Sequence, residues 1–190
     1  MEENMDLRIR KTYLSLQNAF VSLLEEKRFE ELTVNELCQR AMIRRTTFYK
    51  HFADKYDYFA FFIREMASSL RQQLPSDVAD SDVTTYFLQM SRELLRFYRQ
   101  HENMVRNIRD STMFPVLLSI LLEQLTQDVV LVLRRACPDL ARNGDKLKGV
   151  AAFYAGGLLS TFFRCIREDN SIDEELFLEI VGEYAGKLPE

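Results

Sequence analysis

Histidine, proline, cysteine and glycine are all scarce in this chain of 190 residues, which holds 2, 4, 3 and 6 of them. The shortage removes whole classes of protein. Cys38, Cys137 and Cys165 are odd in number and widely spaced, so neither a disulfide framework nor a thiolate metal site is expected, and buried thiols are the default. With His51 and His101 as the whole stock of histidine, no Glu-x-x-His of a di-iron bundle occurs, and no phosphate loop or nucleophile motif is present. No enzyme, metal or cofactor is expected. Glycine is too rare, and apolar–polar alternation too weak, for a strand-rich fold; the pattern is helical throughout. No uninterrupted apolar run reaches the length of a membrane span, and the start Met1-Glu2-Glu3 is unlike a secretory signal, so the expectation is a cytoplasmic chain without membrane contact. There is no internal repeat or low-complexity tract.

Excess charge of one sign is missing too. The chain carries 25 basic and 29 acidic residues, a formal net charge of −4, which excludes an unstructured polycation coating nucleic acid. A compact reader with one basic face remains open. The 47% hydrophobic composition can bury a core large enough for a small domain plus a larger one.

The most informative stretch runs from Leu32 to Lys55. Thr33 followed by Glu36 reads as a capping box, in which each side chain satisfies a free backbone N–H at a helix start. Val34, Leu37, Cys38 and Ala41 give that helix one apolar face. Met42 and Ile43 carry a turn. The next helix places Phe48 and Phe52 on one side, four residues apart, and Arg45, Thr46, Tyr49 and Lys50 on the other. Aromatic residues at this spacing pack, so Phe48 and Phe52 belong to the core. Arg44 and Arg45 stand at the positive end of the helix dipole, where acids are favoured by a few tenths of a kcal/mol or more. Phosphates or guanine edges would offset that loss. The basic residues Arg40, Arg44, Arg45, Lys50 and Lys55 face only Asp54 in this stretch. Upstream, Tyr13, Leu16, Phe20, Leu23 and Leu24 form the stripe of a helix over 8–26 that completes a three-helix unit. Arg8, Arg10 and Lys11 near its start read equally well as solvated charges.

These residues resemble the tetracycline-repressor (TetR) family of bacterial transcription regulators. The resemblance rests on Leu32-Thr33-Val34, Ala41-x-Ile43, Thr47-Phe48-Tyr49-x-His51-Phe52 and Asp54-Lys55, and it covers about the first third of the chain. It implies an all-α fold, with a helix-turn-helix DNA-binding domain over 1–53 and a helical ligand-binding and dimerisation bundle over 54–190. It further implies phosphate contacts at Thr33, Tyr49, His51 and Lys55, and base or adjoining backbone contacts at Arg45, Thr46 and Thr47. Lys50 fits either role, and Asn35 is a weaker base-contact candidate. Two departures stand out: Met42 replaces the usual turn glycine, and Arg44 replaces a small capping residue but adds a base or phosphate contact.

Downstream, a helix opens near Asp54 and runs through Phe59, Phe62, Met66 and Leu70 to Leu74. Polar breaks at 75–82, 109–112, 138–145 and 169–173 separate further helices. Tyr86, Phe87, Met90, Leu94 and Phe97 mark one, a short one spans 103–108, and 116–133 is apolar on several faces, as a central buried helix would be. The last two helices, over 151–166 and 172–188, combine small and large apolar residues. Their candidate dimer seam is Ala152, Gly156, Leu159 and Phe163 with Phe177, Ile180, Val181 and Tyr184; Leu188 ends the stripe. That both stripes close the monomer's own core is the other reading. Phe62, Met66, Tyr86, Phe87, Met90 and Phe97 supply enough aromatic and sulfur surface for an apolar ligand cavity, with Met113, Phe114, Phe153 and Tyr154. Any single member reads equally well as core.

The resemblance therefore implies a bacterial, cytoplasmic homodimer on a palindromic double-stranded operator. It implies a repressor released by a small apolar effector; the alternative is a TetR-like regulator controlled by a protein partner, with no small-molecule ligand.

Overall fold

The computed structural model describes residues 2–74, 82–167, 173–185 and 187, with side chains from Ile9 onward. The expected breaks at 75–82 and 169–173 lie mostly outside these residues, as does Leu188. The described residues form helices joined by turns and contain no strand, so the fold is all-α. The helices are α1 (Glu2–Glu26), α2 (Val34–Arg40), α3 (Arg45–Phe48), α4 (Lys55–Gln73) and α5 (Val83–Gln100). They continue with α6 (Glu102–Arg109), α7 (Phe114–Ala136), α8 (Pro138–Ala141), α9 (Gly144–Cys165) and α10 (Glu174–Tyr184), and a single 3-10 turn occupies Phe29–Glu31.

Two compact units share the chain. The first comprises Met1–Ile63 and Gln100–Leu117, the second Arg64–Arg99 and Leu118–Glu190. A division at 53/54 therefore cuts through the first unit. The reason is aromatic packing: Phe20 of α1 meets Tyr58 and Phe62 of α4, each at 5.0 Å between ring centroids, and Phe29 meets Phe59 at 5.1 Å. Helix α6 belongs to this unit as well, because polar contacts tie it to α1 and the 3-10 turn. Asn107 donates to the Leu24 carbonyl at 2.8 Å, and the Thr112 N–H and hydroxyl donate to Glu30 at 2.6 and 2.7 Å.

The second unit is built on leucine and phenylalanine. Phe162 packs against Phe177 at 6.1 Å, joining α9 to α10, and Phe87 of α5 meets Tyr154 of α9 at 5.8 Å. Helix starts are capped by side chains: Asn143 accepts from the Lys146 N–H and Asp173 from the Leu176 N–H. The Asn143 cap starts α9 inside the stretch expected as a break. Helix α7 corrects the expectation of a buried central helix. Val116, Leu122 and Leu131 are exposed, Leu131 by 52%, because one chain has too few neighbours to cover every apolar face. By length and composition alone α7 could cross a bilayer, although no uninterrupted run in the sequence suggested it. Among the described residues no group of three or more His, Cys, Asp and Glu could hold a metal ion.

Candidate nucleic-acid interface

Local chemistry sets the two motif helices. The Thr33 hydroxyl accepts from the Glu36 N–H at 3.2 Å, and Glu36 Oε2 accepts from the Thr33 N–H at 3.0 Å, completing the capping box. Lys27 donates to Glu36 at 2.6 Å, and this bond, with those from Thr33, holds the Glu36 carboxyl down at about 2. Helix α2 ends at Ala41. The Ile43 N–H then reaches back to the Cys38 carbonyl at 3.0 Å and the Met42 N–H to the Gln39 carbonyl at 3.1 Å. That pair of bonds is a Schellman motif, whose next residue takes the left-handed conformation that glycine favours. Met42 takes it here, with φ 54° and its side chain 94% exposed.

Helix α3 begins at an N-cap that does not cap. Arg44 has extended backbone (φ −76°, ψ 143°) and makes no side-chain capping bond, while its carbonyl accepts from the Thr47 N–H at 2.9 Å. The helix is shorter than its aromatic stripe suggests, ending at Phe48. The His51 and Phe52 N–H groups both return to the Phe48 carbonyl, at 2.9 and 3.0 Å, closing a turn. Phe48 is fully buried and packs on Phe52 and Tyr58; Phe52 packs on Tyr58 at 4.8 Å and Phe61 at 5.2 Å. This aromatic anchor holds the opposite face outward.

On that face Arg44, Arg45, Thr46, Tyr49 and Lys50 are exposed, and Thr47 is half-buried. The side chains of Arg44, Arg45 and Lys50 make no ion pair or hydrogen bond with any described residue. Arg45 lies 6.0 Å over the Tyr49 ring. Asn35 is exposed on α2. Half-buried His51 is held by Tyr13, whose hydroxyl lies 3.4 Å from Nδ1 with the rings edge to face.

Two cations of the run stand apart from this face. Arg40 is ion-paired with Glu26 and donates to the Ser22 hydroxyl at 2.8 Å. The Lys55 ammonium gives its protons to the carbonyls of Phe29, Glu30 and Leu32 at 3.1, 3.0 and 2.8 Å, and lies 4.7 Å over the Phe29 ring. An ammonium has three donors, so Lys55 is a clamp rather than a free phosphate ligand. Burial pulls its pKa down. The structural roles of Tyr13 and Lys55 are invisible in the sequence, since their partners are distant and, for Lys55, are backbone carbonyls.

The residues expected to line one ligand cavity are divided. Phe62, Met113 and Phe114 fall in the first unit, with Phe62 in its aromatic core. In the second unit Phe87, Phe153 and Tyr154 line an open cleft of about 340 Å³ together with Ile180, Val181 and Tyr184. Met90 lines a separate space of about 40 Å³. Tyr86 is buried, and Met66 and Phe97 are half-buried. Of the expected dimer seam, Leu159, Phe163, Phe177 and Val181 are buried within the chain; Ala152 and Tyr184 are exposed and Gly156 and Ile180 half-buried. The three cysteines form no disulfide, Cys38 and Cys165 are buried, and Cys137 is half-buried.

No family model matches the chain. A curated protein of Bacillus subtilis (strain 168), described as an uncharacterized HTH-type transcriptional regulator YxbF, is 38% identical over 55 residues. That match spans 28% of this chain and 14% of the curated relative. Among solved structures, the dihydroxyacetone kinase operon activator DhaS superposes with a TM-score of 0.61 at 18% identity, covering 90% of this chain and 93% of that one. A TetR transcriptional regulator from Rhodococcus sp. RHA1 gives 0.62 at 14% identity, covering 94% and 95%. The chain has the fold of the TetR transcriptional regulators.

Proposed function

We propose that the chain is a homodimeric, sequence-specific DNA-binding transcription regulator, a repressor released by a small-molecule effector. One observation carries the DNA reading: Arg44, Arg45 and Lys50 stand exposed and unpaired among the described residues, on a face held by the buried Phe48 and Phe52. In the major groove Arg44 and Arg45 suit guanine O6 and N7, where a bidentate pair contributes about 1–3 kcal/mol of discrimination. Thr46 and Thr47 suit base edges or adjoining backbone, and Asn35 is a peripheral base contact. Tyr49, Lys50 and His51 suit phosphates, which fix register without carrying sequence information. Thr33 is exposed enough to touch a phosphate while it caps α2.

The dimer reading is supported by apolar surface that the chain leaves uncovered. Phe153 of α9 is 77% exposed and Tyr184 of α10 57%, both on the rim of the 340 Å³ cleft. A Cβ built on Gly157 meets nothing within 4 Å, so its smallness serves no packing inside the subunit and leaves room for a partner helix. Two copies would present two reading heads to half-sites about 34 Å apart.

A second reading has its own support. The cleft is open rather than enclosed, which favours a protein partner over a small molecule at that place, and one structural neighbour is named an operon activator. A reporter driven from the target promoter separates the signs: loss of the gene raises transcription under repression and lowers it under activation. For the site itself, Arg45→Ala with Tyr49→Ala is expected to lower operator affinity by about a hundredfold or more while circular dichroism stays unchanged. Retained specific binding by that double variant contradicts the assignment.

A further inference from the structure

Within the second unit, α4, α5 and α7 bring together three polar groups that an apolar core does not need. Asp128 of α7 is 9% exposed, and its Oδ1 accepts from Arg71 of α4 at 2.9 Å. Tyr86 of α5 is 4% exposed, and its hydroxyl has no hydrogen-bond partner among the described residues. Asp128 also borders the space of about 40 Å³ walled by Leu70, Met90, Leu94, Leu125 and Leu159, with Gln124 as the other polar group. The ion pair is lopsided: the Arg71 side chain is 50% exposed and that of Asp128 only 11%. The cation half can swing into water with little loss, whereas the carboxylate is fixed inside. Burial pushes the Asp128 carboxyl up while Arg71 pulls the other way, and both charges act on the Tyr86 phenol.

We infer that this cluster is a binding site for a small organic cation, a primary or secondary ammonium on a short alkyl body. The ammonium donates to the Asp128 carboxylate, displacing Arg71 outward, and to the Tyr86 phenol oxygen, which as an acceptor gains the partner it lacks in the protein. The alkyl body lies against the leucines and the adaptable Met90. A carboxylate ligand would face Asp128 at close range. A neutral alcohol offers no charge to take the place of Arg71. The small volume restricts the body to a few carbons unless Met90 moves.

The regulatory meaning of the site rests on the proposed effector control, but binding itself is measured on the full chain without DNA. The probes are n-butylammonium, n-butanol and butyrate, compared by calorimetry and by the rise in melting temperature. Butylammonium is expected to bind roughly tenfold or more tightly than butanol, with butyrate silent. Asp128→Asn is expected to lose that preference and Tyr86→Phe to weaken binding several-fold. Arg71→Ala is expected to tighten it several-fold by removing the competing cation, a gain that poor folding cannot produce. Equal binding of butanol and butylammonium, an unchanged Asp128→Asn, or no gain in Arg71→Ala overturns the site. Binding that leaves operator affinity unchanged keeps the site and overturns effector control.

Discussion

At the scale of single residues, two positions depart from what their backbone prefers, and they face different demands. Met42 occupies the left-handed position of a Schellman turn, where a residue with a Cβ costs about 1–2 kcal/mol relative to the right-handed conformation. Its side chain is almost wholly in solvent, so packing does not repay that cost. Arg44 occupies an N-cap without capping, where Ser or Asp would stabilise the helix by about 0.5–2 kcal/mol over a residue that cannot cap. The two properties can be separated in one variant. Arg44→Ser should raise unfolding stability by about 0.5–1 kcal/mol, in denaturant titration, while lowering operator affinity about tenfold in fluorescence anisotropy. A fall in both quantities would sink the idea that this position exchanges helix stability for recognition. Both departures were legible in the sequence, because each is a residue type set against a turn or cap position a few residues away.

At the scale of elements, the start of α2 is where charge and geometry meet. Glu36 is the reciprocal half of the capping box and the partner of Lys27, and its carboxyl falls from 4.5 to about 2 in the folded chain. A depressed carboxyl contributes stability that is fully present above 4.5 and is lost as the pH falls through about 2. Glu36→Gln should therefore melt lower than the parent at neutral pH and converge with it towards pH 2, in melting curves taken across that window. A constant difference across the whole range would show that the charge of Glu36 is not what stabilises α2. This cap is local and could be read from Thr33 and Glu36 alone. The length of α3 could not: Phe48 and Phe52 keep helical spacing across a turn, so periodicity continues where the helix stops. Lys55 was misleading for a related reason. Its position beside Asp54 suggests a free flanking cation, but its partners are carbonyls 23 to 26 residues earlier, and a carbonyl has no signature in the sequence.

At the scale of the whole molecule, composition and periodicity were enough for an all-α chain and for the helix-turn-helix, but not for the sorting of its aromatic residues. Phe62 and Phe87 sit at equivalent places in helical stripes, yet one closes the core of the first unit and the other lines a cleft in the second. Only the partners distinguish them. The uncovered side of the second unit makes a prediction of its own. Phe153→Glu with Tyr184→Glu changes two exposed side chains, so it should leave helix content intact while shifting the mass by light scattering from dimer to monomer. A parent chain already monomeric at micromolar concentration would contradict the dimer. The central claim is sequence-specific recognition by the α3 face, and it is tested most directly by selecting bound duplexes from a random DNA pool. The predicted result is an enriched inverted repeat whose half-sites contain guanine and lie about one helical turn, roughly 34 Å, apart. Recovery of no sequence above the input pool would contradict it.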